Sequence, residues 1–373
     1  MMNIGTRQFE KAKDLYKNAV NELTGKIDYR HSFVKFSNLP IHPRWVKGKE
    51  DIRTCPPAIG FSKIAGSTED GIGIEFIPEG MTFDNVILPK ITLVPELQEC
   101  HKEKRILIPI GDKEPFYLTQ EILPVQIMTL GNLALLAVPF ECTTMSGRRL
   151  KTAVKDELVP TGIKHIIIAG YSNAYTGYVT TREEYKAQHY EGASTHFGPY
   201  TLNAYQQEFN KLAKSMNNGE NVNPGPIPPD LSDKQKIKQI GVLFDLEEPP
   251  SKKFGAVYSD ASSSYRKGQI VRVVFWGAHP RNNLKIQDTY LTVEYKSGDD
   301  WIPVVYDWNP ETIYRWERSG LAQSKITIEW TIPQDEDFKT GEYRIRHFGH
   351  WKSFWSKEII SYSGTSRTFR VTE

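Results

Sequence analysis

The sequence has little of what marks an exported, membrane-spanning or nucleic-acid-binding chain. Its apolar runs, such as residues 133–140, fall far short of the roughly 20 residues a helix needs to cross a bilayer. The opening MMNIGTRQFEKAKDLYKNAV contains no apolar core of the signal-peptide kind, so no export leader is expected in this chain. No Asn-x-Ser/Thr sequon occurs, which favours an unglycosylated protein. A net charge of +2, with 47 basic residues set against 45 acidic ones and no basic run, leaves no case for a nucleic-acid partner. Only three cysteines are present, Cys55, Cys100 and Cys142, and none is spaced as CxxC. That spacing argues against a thiolate metal site or a redox motif, and leaves one disulfide or a fully reduced set open. There is neither an internal repeat nor a low-complexity tract.

What is present is ample material for one large or two ordinary domains, with 373 residues of which 39% are hydrophobic. Phe9, Ala12, Tyr16, Ala19 and Leu23 recur at helical spacing, with Thr6 as candidate N-cap and Gly25 as stop. A chain opening on such a helix is expected to be either cytosolic or cut from something longer. Apolar runs over 125–130 and 133–138, separated by Gly131-Asn132, predict a hairpin. A helix over 146–158, a buried strand over 165–169 and helices over 182–190 and 200–215 complete an α/β or α+β layer. The turn-rich NNGENVNPGPIPP, residues 217–229, is the best linker candidate. Beyond about Phe254, strands are predicted over 270–276, 289–295, 301–306, 326–330, 342–347 and 366–371. They suggest an antiparallel β-sandwich of immunoglobulin-like type, although no Cys…Trp…Cys framework is present to make it a true antibody-type domain.

Two clusters could carry chemistry. In PFECTTMSGRRLKTAV, residues 139–154, an apolar strand runs through a hydroxyl-rich turn into a helix, placing Glu141 beside a helix N-terminus. The plain alternative is capping: Glu141, Thr143 and Thr144 satisfy free amides while Arg148 and Arg149 pair with surface acids. In YSNAYTGYVTTREEYKAQHYEGASTHFGP, residues 171–199, the tyrosines 171, 175, 178, 185 and 190 are too many for an ordinary loop. A phenol can donate to a developing oxyanion or ligate a metal once deprotonated, or its ring can simply fill a core. Thr181-x-x-Glu184 reads as a capping box, which puts Tyr185 and Tyr190 on or just past a helix.

These two segments resemble the neutral (nonlysosomal) ceramidases, as do RTCPPAIGFS, AGSTEDGIG, GAHPRN and GEYRIRHFGH. The resemblance runs through essentially the whole chain and covers about the C-terminal half of a typical family member. It implies the C-terminal part of a ceramidase catalytic domain over 1–216, a linker over 217–240 and the immunoglobulin-like sandwich over 241–373. The implied activity is zinc-dependent cleavage of the ceramide amide to sphingosine and a fatty acid, with ceramide met at a membrane surface. The family's zinc is held by two histidines, a glutamate and a tyrosine. Carried over by motif, the glutamate is Glu141, although Phe140 stands where the motif usually has glycine. The tyrosine ligand is Tyr178, and an oxyanion-stabilising tyrosine is Tyr190.

The family's zinc histidines and nucleophilic serine belong to an N-terminal half with no counterpart here, so the chain is expected to be a fragment lacking that partner half. The alternative is a shortened, catalytically inactive paralog serving as a binding or regulatory module. His189, His196, His347 and His350 are read as surface or core residues rather than replacement ligands. The resemblance also implies a Cys55–Cys100 disulfide, hence a secreted or cell-surface parent protein, and leaves Cys142 as a buried free thiol.

Overall fold

Helix α1 (Met2–Asn18) buries none of its residues, and Phe9 and Tyr16 are exposed. It runs through Thr6 and stops before the expected Gly25. Its apolar stripe is not buried among the described residues, so local propensity is what sustains it, and propagation ends early. The computed structural model describes residues 2–67, 71–74, 77–82, 95–111, 118–234, 241–247 and 252–373. Residues 68–70 of AGSTEDGIG and 235–240 of the expected linker therefore lie outside the described residues. Two units are formed, one of residues 19–236 and one combining 1–18 with 237–373.

The first unit contains β1 (Ile27–Lys35), β2 (Ala58–Gly60), β3 (Gly66–Ser67), β4 (Gly71–Ile72), α2 (Pro95–His101), β5 (Ile106–Pro109), β6 (Ile122–Leu130) and β7 (Leu133–Ala137). It continues through β8 (Glu141–Cys142), α3 (Thr144–Leu158), β9 (His165–Ala169), β10 (Tyr178–Val179), α4 (Arg182–Ala187), α5 (Tyr190–Ala193) and α6 (Thr201–Asn217). The predicted hairpin is β6–β7, closed at Leu130↔Leu133 with Gly131 at φ +58°, a conformation only glycine takes without strain. The main sheet has the order β1-β6-β7-β9, with β9 added parallel to β7. On one face Ile127, Leu136, Leu150, Val154 and Phe209 share a core with α3 and α6. Side chains alternate across a strand, so the second face carries Ile27, Leu130, Leu133 and His165 in one row. The next row is Tyr29, Met128, Leu135 and Ile167. Ile27 and Tyr29 are 81% and 69% exposed on that face.

The turn-rich stretch after α6 is a strap along β1 rather than a free linker. The Phe33 amide donates to Pro224 O at 2.7 Å, and Arg30 Nε donates to Glu220 O at 2.8 Å. Gly225 at φ +81° sits so close that a Cβ would fall 1.8 Å from Phe33 O.

In the second unit follow β11 (Val257–Ser259), β12 (Ser264–Arg266), β13 (Ile270–Gly277), β14 (Leu291–Ser297), β15 (Asp300–Tyr306), β16 (Thr312–Arg318), β17 (Ser324–Thr331), β18 (Gly341–Lys352), β19 (Ile359–Thr365) and β20 (Phe369–Thr372). One sheet is β11-β13-β17-β16, and the other is β12-β20-β18-β14-β15 with β19 also on β18. Val273, Phe275, Ile328 and Trp330 of the first share a core with Leu291, Val293, Ile345 and Phe369 of the second, which makes a β-sandwich. It is not wholly antiparallel, since β12 pairs parallel with β20. The unpredicted strands are β11 and β12, only three residues each, and β16 and β19, which are sparsely buried.

Cys55 and Cys100 are bonded, with Cα atoms 5.8 Å apart, and tie the approach to β2 to α2. Replacing both by serine is expected to lower the unfolding free energy by about 2–4 kcal/mol. An unchanged denaturation midpoint would show that the bridge constrains nothing.

Candidate active site

Two residues of backbone pairing build the site. Strands β8 and β10 run parallel with Glu141 opposite Tyr178 and Cys142 opposite Val179. Glu141 N–H donates to Gly177 O at 2.9 Å and Thr143 N–H to Val179 O at 3.3 Å. Thr143 then caps α3 by accepting from Ser146 N–H, while Ser146 Oγ donates to Val179 O at 2.7 Å. Thr181 and Glu184 form the predicted capping box of α4. The Glu184 carboxylate also accepts from Thr143 Oγ1 at 2.7 Å, so one side chain joins the starts of both helices.

The expected single helix over 182–190 is broken at Gln188, which takes φ +51° before α5 begins at Tyr190. The break turns the chain so that the Tyr190 ring meets Tyr178 edge to face, with centroids 5.8 Å apart. Between β9 and β10, Tyr171 and Asn173 both take positive φ, 54° and 61°, a concentration of backbone strain characteristic of functional loops. Ser172 and Thr176 amides bond to Val138 and Pro139 carbonyls, laying this loop over the end of β7. Tyr171 and Tyr175 stack nearly parallel at 5.6 Å, and Tyr175 Oη donates to Glu141 Oε1 at 2.6 Å.

Partial burial by itself would raise the Glu141 pKa. Hydrogen bonds from Tyr171, Tyr175 and Tyr178, with the nearby Lys63 ammonium, outweigh it and hold the carboxyl below its ordinary range. The three phenols are shifted upward. For Tyr175 and Tyr178 burial is the larger cause and the Glu141 carboxylate the next; for Tyr171 the hydrogen bond to Glu141 comes first. The accepting form is the ionised carboxylate, so the network is complete at neutral pH and is lost as pH falls through the depressed pKa. A cleft of about 490 Å³ opens beside Tyr175, with Thr119, Asn173 and Asp230 among its lining residues.

Glu141, Tyr178 and Tyr190 are thus brought together, with Tyr171 and Tyr175 joining through the carboxylate. Tyr185 is not part of the site, being buried with its hydroxyl donating to His101 O. His189 faces Glu79 at 3.5 Å, and His347 is buried in the sandwich against Tyr290 O and Tyr362 Oη. His350 reaches Asn283 at 3.5 Å, and His196 is buried beneath Gly177. Among the described residues no three of His, Cys, Asp and Glu gather as a metal site. Glu141 and Tyr178 fit zinc as two hard oxygen donors held side by side by register, the remaining ligands having to come from elsewhere.

The capping alternative holds for Thr143, and Arg149 pairs with Glu183 at 2.7 Å on the helix surface. Glu141 does not cap; its carboxylate faces the tyrosines. Cys142 is half-buried rather than buried, and its thiol is pushed up to about 11 by desolvation. Lys63, from the 3-10 turn Phe61–Ala65, carries no motif that would single it out, yet it lies near the Glu141 carboxylate.

The fold is an α/β layer presenting a carboxylate and a phenol side by side at strand ends, followed in the chain by a β-sandwich. Residues 1–207 match the family described as neutral/alkaline non-lysosomal ceramidase, N-terminal, and residues 209–371 match its C-terminal counterpart. The chain belongs to the neutral/alkaline non-lysosomal ceramidase family. It is 42% identical over 376 residues to the neutral ceramidase of Pseudomonas aeruginosa, covering 99% of this chain and 55% of that protein. Neutral ceramidase 2 of Arabidopsis thaliana is 42% identical over 386 residues, covering 99% and 50%. The crystal structure of the Pseudomonas aeruginosa neutral ceramidase superposes with a TM-score of 0.81 at 39% identity, covering 100% of this chain and 57% of that one. A ceramidase complexed with C2 superposes at 0.84 with 42% identity, covering 99% and 58%. The chain spans about half the length of the curated relatives it matches.

Tyr175→Phe removes the 2.6 Å donor, so the Glu141 carboxyl should titrate at higher pH in the variant. Carboxylate NMR of the metal-free chain would read this, and an unmoved or lowered pKa would deny Tyr175 its role.

Proposed function

We propose that this chain is part of a zinc-dependent neutral ceramidase that hydrolyses the N-acyl amide of ceramide to sphingosine and a fatty acid. What carries the reading is the register that sets Glu141 directly opposite Tyr178, within segments matching the ceramidase family. In it, Glu141 and Tyr178 are zinc ligands and Tyr190 stabilises the oxyanion. When bound, zinc supplies Lewis acidity toward the amide carbonyl. Tyr175 and Tyr171 hold the Glu141 carboxylate ionised and fix its orientation. The edge-to-face packing of Tyr190 on Tyr178 keeps its phenol beside the two proposed ligands, as a donor to negative charge developing on the carbonyl oxygen.

The missing ligands and the serine nucleophile are assigned to the half of a family-length protein that this chain does not contain. Supporting this is the second face of the main sheet, whose register-matched apolar rows lie uncovered where an α/β layer normally carries a packed layer. The disulfide supports a secreted or cell-surface parent. The sandwich is read as immunoglobulin-like from its two facing sheets and the buried Trp330 between them.

In a family-length protein, Glu141→Gln and Tyr178→Phe should each abolish most ceramide hydrolysis and weaken zinc retention. Tyr190→Phe should reduce kcat by about 10²-fold with zinc retained, the loss typical of one oxyanion donor. Fluorescent-ceramide turnover and zinc content decide this, and full activity in Glu141→Gln would remove the assignment. The 373-residue chain alone should bind zinc only weakly by calorimetry and leave ceramide intact. Turnover by the isolated chain would overturn the division of the site between two halves.

A further inference from the structure

One end of the β-sandwich is organised by a buried acid. Asp245 is 2% exposed, and its carboxylate accepts from His279 N–H at 3.0 Å, Asn282 Nδ2 at 2.7 Å and Lys352 N–H at 3.0 Å. Its own amide donates to Lys352 O, and the next amide, of Leu246, donates to Ala322 O. Segment 241–247 is thereby fixed between the β16–β17 turn and the β18–β19 turn. Phe244 packs edge to face on Phe354 at 4.8 Å.

The side chains this arrangement presents are apolar and outward. Leu321 and Trp355 at the two turns are 87% and 88% exposed, Leu243 is 68% exposed and Phe354 is 42% exposed. Single exposed apolar residues are ordinary, but several on adjoining loops form a patch, and such patches mark interaction sites. Cations accompany them. Arg281 and Arg318 line a cleft of about 510 Å³ together with Leu243 and Leu321. Lys357 lies over the Phe354 ring at 4.7 Å, and Arg318 is held over Trp316 at 5.2 Å. Glu317, the acid beside Arg318, stands opposite Lys325 across the strands.

We infer that this end of the sandwich is a membrane-docking surface that inserts Leu243, Leu321, Phe354 and Trp355 shallowly into the lipid interface, with Arg281 and Arg318 on lipid phosphates. Tryptophan and lysine or arginine around an aliphatic tip match the layered chemistry of that interface, apolar below and anionic above. The partner choice rests on the ceramidase reading, because a ceramide-cleaving protein must reach a bilayer-resident substrate. Binding itself requires no ceramide, so it can be tested apart from that reading.

The experiment is flotation of the intact 373-residue chain with ceramide-free vesicles of phosphatidylcholine, with and without phosphatidylserine. The chain should float, more so with phosphatidylserine. L321E/W355E should weaken binding by about tenfold or more, as loss of two inserted apolar side chains implies. R281S/R318S should abolish the phosphatidylserine preference. Ile227→Ser, an 89% exposed residue of the other unit, should change nothing. Unfolding midpoints of the variants establish that they are folded. A chain that stays unbound, a folded L321E/W355E that floats as well as the parent, or self-association lost in that variant without vesicle binding would each overturn the proposal. A family-length protein that floats but cleaves no ceramide would count against the ceramidase reading alone.

Discussion

The carboxylate–phenol site depends on a two-residue parallel ladder, Glu141–Cys142 against Tyr178–Val179. Parallel pairing so short has little stability of its own. It persists because both strands run directly into helix caps, and those caps share the Glu184 carboxylate through Thr143 and Thr181. Ser146 Oγ closes the same unit from α3 onto Val179 O. Each of these polar groups would be left unsatisfied if the ladder slipped, and a one-residue slip would turn Tyr178 to the opposite face. Register here is therefore chemistry: it decides whether a phenol lies beside the carboxylate.

Around this ladder the tyrosines divide into two functions. Tyr171 and Tyr175, from a loop carrying two non-glycine residues at positive φ, stabilise the carboxylate as an anion. Tyr178 shares in that hydrogen bonding and also packs edge to face on Tyr190, one from the strand and one from the helix that starts after the Gln188 reversal. The positive φ of Tyr171, Asn173 and Gln188 falls where the backbone turns ahead of Tyr175, Tyr178 and Tyr190.

The two units meet their polar obligations differently. In the α/β unit one face of the sheet packs on α3 and α6, and on the other face Ile27, Tyr29, Leu130 and Ile167 are exposed. In the sandwich both inner faces are matched, and the irregularity is concentrated at one end, where Asp245 organises three loops from a buried position. A buried carboxylate is costly unless hydrogen-bonded, and three donors converge on this one. The result is a stiff platform for exposed Leu321 and Trp355, which a disordered loop would not hold outward together.

Much was legible in the residues themselves. Gly131-Asn132 between apolar runs specified the β6–β7 hairpin because positive φ and strand alternation are local properties. The capping box at Thr181 and the strand His165–Ala169 were readable for the same reason. The motifs around Glu141, Tyr178 and Tyr190 carried the family resemblance that the comparisons bear out. The sequence could not show that the turn-rich stretch after α6 straps β1, that helix 182–190 breaks, or that β16 and β19 are strands, because each depends on contacts between distant segments. Nor did it reveal Lys63 beside the carboxylate, or Asp245 beneath three loops. Sequence determined which chemistry was available, a carboxylate and clustered phenols near helix starts. Only tertiary structure decided which phenols reach the carboxylate, because that rests on one parallel register between strands that the intervening helix α3 and strand β9 keep far apart in the chain.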